Sequence, residues 1–317
     1  MDKQPGGIAV LGECMIELSG QAFGIQQQSF GGDTLNTAIY LSRLLPELAP
    51  LYVTVLGHDH YSEGMLARWK EEGVDCSLVL RDRQRLPGIY AIEIDEQGER
   101  CFHYWRNGSA VRFLCQHEAF TTCLESLQGT DLLYLSGISI AILPEEDKET
   151  LIQALLSLKS AGVTIAFDSN YRPRLWNDAA HAVIWINRLY QLCDIALVTA
   201  DDEYLLLGGS QSAEQIIARL HGLGVKQVIV KLGKEGAMWS VLEEGHGLSK
   251  GELIERVVDT TAAGDSFNAG YLAARYRGLP IATCCQWGNR VAAEVIQHRG
   301  AIIGPHHIET LITELKT

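Results

Sequence analysis

Apolar stretches of two kinds alternate along the chain and predict alternating strands and helices. Short apolar runs predict buried strands over 7–11, 52–56, 132–135, 163–167, 195–198 and 227–232. Longer stretches with apolar residues at helical spacing predict helices over 34–45, 62–73, 144–161, 179–192, 213–220 and most of the chain from about 264 onward. Strands separated by helices of this length are typical of βαβ units. The pattern therefore predicts an α/β fold, with a three-layer αβα core around a mostly parallel sheet.

The helix predicted over 62–73 carries signals for both of its ends. Ser62 is a residue type that often caps a helix N-terminus, because its side-chain oxygen accepts a hydrogen bond from a free backbone amide. Gly73 suits the position just after a helix, where a left-handed backbone conformation is common. We therefore expect this helix to begin at Ser62 and to end before Gly73.

Two regions interrupt the alternation of strands and helices. Segments 13–19 and 26–30 are strand-like with no helix between them, and segments 88–94 and 100–106 flank a turn at 95–99 that contains a glycine. These four strands predict a small sheet that projects from the core as a lid, formed by segments of about 12–32 and 87–108. We expect residues 1–317 to form a single domain with this lid.

The charge balance limits the kinds of partner. Lys and Arg total 26 against 39 Asp and Glu, a net charge of −13, and no cluster of basic residues is present. Proteins that bind nucleic acid or anionic membranes normally show a basic stripe, so we expect neither partner. An anionic substrate would have to be held locally, by individual cations and backbone amides, against the overall negative field.

The cysteines and the apolar stretches bear on location. The eight cysteines are scattered, without a C-x-x-C pair or histidines at zinc-finger spacing, which favours reduced thiols that pack as small apolar residues. The N-terminus has no apolar stretch of signal-peptide length, and the run from 132 to 143 is too short to span a membrane. We therefore expect a cytoplasmic protein.

The segment 259–267 carries the strongest chemical signal. Its sequence DTTAAGDSF places small residues immediately before an amphipathic helix. Free amides at a helix N-terminus form an anion site, and Asp265 beside them could accept a proton from an attacking hydroxyl. The alternative is that Asp265 only caps the helix, which is a common role for Asp. No G-x-x-x-x-G-K-[ST] motif is present, so a nucleotide would not be held by a P-loop.

This segment resembles the C-terminal signature of the PfkB (ribokinase-like) carbohydrate kinases, with Ala262 where the family usually has Gly. Segment 31–38, GGDTLNTA, resembles the other signature of the family, and the resemblance extends over essentially the whole chain. It implies a ribokinase-like fold, ATP with Mg²⁺, and a monovalent cation as a candidate activator. It also implies that Asp265 is the catalytic base beside the amides of Ala262, Ala263 and Gly264. We expect Ala262 to present its amide at negative φ.

The resemblance also implies which residues line the nucleotide side of the site. Without the resemblance, the sequence would give these residues ordinary structural roles. Segment 230–241 alone predicts two strands joined by a glycine turn, and Asn289 would be an unremarkable helical residue. The family motif N-x-x-E predicts that Glu203 orders the metal, although Ala200 replaces its Asn; alternatively, Glu203 belongs to an acidic first helical turn. The resemblance implies five residues on the nucleotide and metal side: Asn170, Lys231, Gly233, Gly236 and Asn289, with Glu203 as a candidate metal residue.

The lid strands bear on the substrate. Alternation in a strand places Tyr104 and Arg106 on one face, and an Arg beside tyrosine hydroxyls suits a carboxylate because guanidinium binds it bidentately. Arg172 follows a core strand at its carboxyl end, where open α/β sheets bind ligands. These features resemble the family members that phosphorylate the terminal hydroxyl of 2-keto-3-deoxygluconate. By that resemblance the sugar acid contacts Gly32, Asn36, Tyr90, Tyr104 and Arg106, and Arg172 serves either the substrate or the phosphate.

Two alternatives remain open at the level of the sequence. One is a fructokinase- or ribokinase-type enzyme of the same family that acts on a neutral sugar. The other is a catalytically silent sugar-binding regulatory protein, against which the intact Gly264-Asp265 pair argues. A lid sheet with exposed edges also predicts a homo-oligomer in which the lids of two chains pair.

Overall fold

The structure is a computed structural model and describes residues 6–94 and 100–316. The turn predicted at 95–99 lies outside the described residues. The strands are β1 (Ile8–Leu11), β2 (Met15–Gly20), β3 (Gln26–Gly31), β4 (Leu51–Leu56), β5 (Val79–Arg81), β6 (Ile89–Ile94), β7 (Arg100–Trp105), β8 (Leu132–Ser136), β9 (Thr164–Asp168), β10 (Ile195–Thr199), β11 (Gln227–Lys231), β12 (Gly236–Val241) and β13 (Gly245–Lys250). The helices are α1 (Asp33–Leu44), α2 (His60–Glu71), α3 (Phe120–Leu127), α4 (Gly137–Ala141), α5 (Glu145–Ser160), α6 (Ala179–Leu192), α7 (Ala200–Leu207), α8 (Ala213–Gly222), α9 (Ala263–Tyr276), α10 (Ile281–Val295) and α11 (Glu309–Leu315).

The larger sheet has nine strands in the order β13-β12-β11-β10-β9-β8-β1-β4-β5. The strands from β11 to β5 are parallel to their neighbours, and β12 and β13 are added antiparallel at one edge. Parallel neighbours are connected through helices that cover both faces of the sheet. The predicted α/β class with a mostly parallel sheet is therefore confirmed.

Two apolar cores lie on opposite faces of this sheet, because successive strand residues point to opposite sides. In β1, Ala9 and Leu11 join the core formed with α3, α5, α6, α7 and α8. Ile8 and Val10 join the other core, formed with α1, α2, α9, α10 and α11. The alternation within one short strand thus produces the three layers predicted from the sequence.

The smaller sheet has four strands in the order β3-β2-β6-β7 and is the predicted lid. β2 pairs parallel with β6, whereas β3 and β7 pair antiparallel at the two edges. Tyr90 and Tyr104 are register partners in β6 and β7, with ring centroids 5.9 Å apart. Within the described residues, no helix has the length and apolar character needed to cross a membrane.

Two local predictions are wrong. The helix predicted to begin at Ser62 begins at His60, because Asp59 is the N-cap and its carboxylate accepts hydrogen bonds from the amides of Tyr61 and Ser62. Gly73 does follow this helix at a φ of +78°. Ala262 was expected at negative φ, but it caps α9 in the left-handed region, at φ 60° and ψ 16°.

Candidate active site

A cavity of about 1210 Å³ lies between the lid and the carboxyl ends of the parallel strands. This is where open α/β sheets place their ligands. The cavity brings together most of the site residues predicted from sequence, which come from six separate stretches of the chain. The predicted residues that line it are Gly32, Asn36, Tyr90, Tyr104, Arg106, Asn170, Arg172, Lys231, Ala262, Ala263, Gly264 and Asp265.

The pair Gly31-Gly32 allows the lid and the core to approach each other closely. A Cβ atom on Gly31 would collide with the hydroxyl of Tyr90. One on Gly32 would collide with the carbonyl oxygen of Glu13. Tyr90 belongs to lid strand β6, and Glu13 lies in the segment that leads from β1 into lid strand β2. Positions 31 and 32 therefore need residues without a side chain. The glycines thus place the beginning of α1 directly under the lid.

The carboxylate of Asp265 lies on the first turn of α9, at the floor of the cavity. Its Oδ2 accepts a hydrogen bond of 2.8 Å from Asn36 Nδ2, and Thr37 Oγ1 donates to its backbone oxygen at 3.1 Å. Both partners are on α1, so this helix orients Asp265. The amide of Ala263 donates to Thr260 O, and the next amides at this end, those of Gly264 and Asp265, have no partner in the described part of the chain. These two amides form the predicted anion site.

The surroundings of Asp265 shift its protonation. Its pKa is raised to about 7, mainly because burial disfavours the charged carboxylate, and the nearby charge of Asp33 adds to the effect. Hydrogen bonding from Asn36 acts in the opposite direction. A carboxyl with a pKa near neutrality can accept a proton and release it again, which is what a general base requires.

Lys231 provides a buried positive charge beside the anion site. Its Nζ donates to Asp168 Oδ2 at 2.7 Å and to Asn268 Oδ1 at 3.1 Å. A Cβ added to Gly264 would lie 3.5 Å from this ammonium group, so the cation is adjacent to the free amides. Asn268 Nδ2 also donates to Asp168 Oδ2 at 2.7 Å. This network fixes the ammonium group where it can neutralise an incoming phosphate.

The lid side of the cavity carries a second cation, Arg106. Its guanidinium pairs with the buried carboxylate of Glu13. This carboxylate also accepts a hydrogen bond of 2.7 Å from Ser109 Oγ. Arg106 Nε is buried without a hydrogen-bond partner among the described residues. The guanidinium carbon lies 5.7 Å from the ring centroid of Tyr104. Arg106 thus brings a cation with one unused donor to the lining of the cavity.

Tyr90 is held in a fixed orientation from the lid side. Its hydroxyl donates to Glu17 Oε2, and burial followed by the charge of Glu17 raises the pKa of Tyr90 far above its usual value. The hydroxyl therefore remains protonated across the physiological range. Tyr90 thus presents a fixed phenol wall beside Gly31, while Tyr104 is 46% exposed and can adapt to a ligand.

The opposite end of the cavity combines cationic, acidic and amide groups. Arg172 Nη1 lies 3.2 Å from Asp202 Oδ1, and burial raises the pKa of Asp202 to about 6 despite this cation. Asn170 has a positive φ of 34°, a strained region that Asn tolerates better than most residues. Asn170 Nδ2 donates to Asp33 Oδ2 at 2.6 Å, and this bond joins the loop after β9 to the first turn of α1.

Four predicted residues do not line this cavity: Gly233, Gly236, Asn289 and Glu203. Asn289 Nδ2 donates at 3.0 Å to the backbone oxygens of Ser249 and Lys250, and so holds the end of β13. Gly236 has a φ of 102°, and a Cβ there would collide with the carbonyl oxygen of Ser249. Their contact with a nucleotide stays a prediction.

Glu203 is fully buried on α7, where Tyr190 and Arg219 bind its carboxylate. Its neighbours Asp201 and Asp202 line the cavity instead, on the first turn of α7. The structure therefore gives Glu203 a structural contact, and its metal role has no contact that supports it here.

Sequence reasoning assigned no role to several cavity residues: Glu13, Asp33, Asp168 and Asp202. Each is acidic and follows the carboxyl end of a strand or begins the next helix. Asp168 is the last residue of β9 and accepts from both Lys231 and Asn268. The signal that could have found them is the position at strand ends. Their partners, however, come from distant parts of the chain and cannot be read locally.

A carboxyl group with base character beside an anion site, in a cavity under a lid, is the arrangement needed to transfer a phosphoryl group to a hydroxyl. Fold and site together therefore define the class as a small-molecule kinase. The profile described as pfkB family carbohydrate kinase matches residues 6–308, and the chain belongs to that family.

Named relatives support this assignment. The chain is 49% identical over 311 residues to the 2-dehydro-3-deoxygluconokinase of Haemophilus influenzae, covering 97% of this chain and 98% of the relative. It is 45% identical over 302 residues to the enzyme of the same name from Escherichia coli K12, covering 93% and 96%. The crystal structure of a PfkB protein from Polaromonas sp. JS666 matches with a TM-score of 0.82 and 26% identity, covering 92% and 96%.

Proposed function

We propose that this kinase transfers the γ-phosphoryl group of ATP to the terminal 6-hydroxyl of 2-keto-3-deoxygluconate, giving 2-keto-3-deoxy-6-phosphogluconate and ADP. The observation that carries the proposal is the position of Asp265, beside the free amides of α9 and facing a cavity lined by Arg106. The names of the relatives that are 49% and 45% identical support the choice of substrate.

Asp265 acts as the general base. The hydroxyl oxygen forms a bond to the γ-phosphorus while the bond from this phosphorus to the bridging oxygen of ADP breaks. The hydroxyl proton passes to the carboxylate of Asp265, whose raised pKa suits a group that takes and returns a proton near neutral pH. Asn36 holds this carboxylate through its Nδ2. The Oδ1 of Asn36 is buried without a partner among the described residues, so it can accept from a substrate hydroxyl.

The beginning of α9 stabilises the negative charge on the moving phosphoryl group. The amides of Gly264 and Asp265 have no partner in the described structure, both residues line the cavity, and Lys231 lies beside them. Such donors are already oriented before the reaction, so they need little reorganisation when charge develops. This arrangement replaces the P-loop that the sequence lacks.

Arg106 is our choice for the carboxylate of the sugar acid. Glu13 balances part of its charge, which keeps the guanidinium in place when no substrate is bound. The unused Nε–H and the neighbouring Tyr104 can then bind a carboxylate with directional hydrogen bonds. A neutral sugar would leave this buried donor unsatisfied, which disfavours the fructokinase and ribokinase alternatives.

The other end of the cavity is proposed for the nucleotide, with Arg172 and Asn170 on its border. Mg²⁺ prefers phosphate oxygens, water and a few carboxylates, and the carboxylates of Asp201 and Asp202 fit that chemistry. When bound, Mg²⁺ would neutralise charge on the phosphates of ATP. Gly233, Gly236 and Asn289 are proposed to border the nucleotide from β11 to β13, and the monovalent cation remains a prediction from the resemblance.

Two further proposals concern the assembly and the location. We propose that two chains pair through their lids, because Phe23, Ile25 and Trp105 are exposed on the lid. We also place the enzyme in the cytoplasm. All eight cysteines are free, five of them buried, as is usual where thiols are kept reduced.

The proposal is tested by measuring ADP formation with a panel that contains 2-keto-3-deoxygluconate, fructose and ribose. We expect the sugar acid to give the highest kcat/KM. Arg106→Lys keeps a positive charge near Glu13 but loses the guanidinium geometry, so its KM for the sugar acid should rise by about tenfold or more. Arg83→Lys changes an exposed arginine and is the matched control.

Three results would contradict the proposal. A higher kcat/KM for fructose or ribose would assign the enzyme to a neutral sugar. An unchanged KM in Arg106→Lys would show that the guanidinium does not bind the substrate carboxylate. No turnover with any sugar, in a protein that still binds ATP, would favour the silent regulatory alternative.

A further inference from the structure

Three histidines and one glutamate meet at the C-terminal end of α10. Glu294 lies in the last turn of α10, His298 follows that helix, and His306 and His307 lie in the short helical turn Pro305–Ile308. His298 Nε2 lies 2.9 Å from Glu294 Oε1. The rings of His298 and His307 have centroids 3.7 Å apart, and those of His306 and His307 are 3.9 Å apart. Nothing in the proposed kinase reaction uses this cluster.

The donor atoms are close enough for a single metal ion. Glu294, His298 and His307 each offer one ligand atom, and these atoms all lie within 4.8 Å of one another. Metal–ligand bonds of about 2.1 Å require donor atoms that are roughly 3–4 Å apart. All three side chains are partly exposed, so they are not locked by packing in their present positions.

The backbone that carries these ligands is anchored on both sides. Val295 and Ile308 are fully buried in the core beside α1 and α9. The amide of His298 donates to Val295 O at 3.1 Å, and the amide of His307 donates to Gly304 O at 3.1 Å. A site on such fixed segments requires little ordering when a metal binds, which favours affinity.

We propose that Glu294, His298 and His307 bind one divalent transition-metal ion of the Zn²⁺ type, with water completing the coordination. Two imidazole nitrogens and one carboxylate oxygen are a ligand set that zinc accepts in tetrahedral geometry. Mg²⁺ prefers an all-oxygen environment, so the Mg²⁺ that accompanies ATP would not compete effectively here. This site is separate from the cavity and does not depend on the proposed reaction.

The metal would cross-link a segment that reaches the active site. Between His298 and His307, Ala301 lines the cavity. Its backbone oxygen accepts a hydrogen bond of 2.8 Å from the hydroxyl of Tyr40. The amide of Gly300 donates to Asp259 Oδ2 at 2.8 Å, at the beginning of the loop that leads to Asp265. A metal that joins both ends of this segment would therefore restrict its opening motions.

The test measures Zn²⁺ binding to the purified full chain by isothermal titration calorimetry in excess Mg²⁺. We expect wild type to bind one Zn²⁺ at this site, and His298→Ala and His307→Ala to weaken this binding by about tenfold or more, since a direct ligand is lost. His246→Ala removes an exposed histidine on β13 and should leave the binding unchanged. Circular dichroism checks that each variant is folded.

Hydrogen exchange is a second measurement, which distinguishes the proposed cross-link from an adventitious ion bound at the surface. Zn²⁺ should slow exchange in segment 296–308 of wild type and should have no such effect in His307→Ala. The site is overturned if wild type binds no Zn²⁺ in excess Mg²⁺, or if both histidine variants bind it as wild type does. Unchanged exchange in Zn²⁺-bound wild type would overturn the cross-link.

Discussion

Asp265 must be ionised to act as a base, yet the fold holds it where ionisation is unfavourable. Burial and the nearby Asp33 raise its pKa to about 7, against the hydrogen bond from Asn36. Ala262, three residues earlier, is held in the left-handed region, where a side chain is disfavoured. At the scale of single residues, the beginning of α9 therefore holds two unfavourable arrangements that serve its chemistry.

The raised pKa predicts the pH dependence of the enzyme. Only the ionised form of Asp265 can accept the proton, so kcat/KM should fall about tenfold per pH unit below about pH 7. Asp265→Asn should lower kcat by about 100-fold or more and remove this acidic limb, while the sugar acid still binds. Steady-state rates from pH 5 to 9 check this. An acidic limb that persists in the variant would assign the pKa to another group.

Ala262→Gly should stabilise the protein. Glycine adopts the left-handed conformation without the penalty of about 1 kcal/mol or more that alanine has there, which outweighs the extra freedom of glycine in the unfolded chain. Urea unfolding should show a gain of about 0.5–1 kcal/mol. Ala263→Gly is the matched control, since its helical position should make glycine destabilising. A loss of stability in Ala262→Gly would mean that the left-handed conformation is not strained.

At the scale of elements, the lid has one face on the cavity and two edge strands that pair on one side only within the described residues. β3 and β7 are the edge strands of the four-stranded sheet, and exposed edges can pair with another chain. Tyr104 and Arg106 line the cavity, whereas Trp105, which lies between them in the chain, is 62% exposed. Strand alternation thus lets one hairpin serve both the substrate and a second copy of the chain.

Pairing through the lid predicts a change of oligomeric state in Trp105→Glu. A charge in the centre of an apolar contact should raise the dimer dissociation constant by about tenfold or more. Sedimentation velocity over a range of concentrations measures this. Ile184→Glu on α6 is the control, because Ile184 is similarly exposed, at 58%, but lies away from the lid. A wild-type monomer, or a dimer unaffected by Trp105→Glu, would exclude the lid as the interface.

At the scale of the whole molecule, a buried polar network joins the central sheet to α9. Lys231 from β11 and Asp168 from β9 form an ion pair of 2.7 Å between side chains that are 8% and 5% exposed. Asn268 on α9 bonds both of them and also donates to Tyr134 on β8 at 2.9 Å. The network therefore sets the position of the anion site relative to the sheet.

Lys231→Met should be strongly destabilising, because it leaves the carboxylate of Asp168 buried without its cation. Breaking one side of a buried pair costs about 3–5 kcal/mol. The affinity for ATP should also fall, since the positive charge beside Gly264 is lost. Denaturant unfolding and nucleotide titration measure these effects, with the exposed Lys226→Met as the control. A stability close to wild type would show that the pair contributes little.

Much of the fold follows from local pattern, and parts that lack a pattern were missed. The core strands and their helices have clear apolar periodicity, so the α/β class and the lid were predicted correctly. β5 has only three residues, and β13, with the sequence GHGLSK, has few residues that favour strands. Neither was predicted. Ser62 was mistaken for the cap of α2 because Asp59, three residues earlier, is an equally suitable cap.

The sequence by itself determined the order of elements, the glycine pair at 31–32 and the two signatures that identify the family, because these depend on neighbouring residues. Only the tertiary structure decided which side chains share the cavity. Asn36 and Asp265 are 229 residues apart in the chain yet form a direct hydrogen bond. Glu203, chosen from its motif, is instead bound by Tyr190 and Arg219. Local patterns specify helices and strands, whereas long-range packing brings their ends together and so selects the residues of the site.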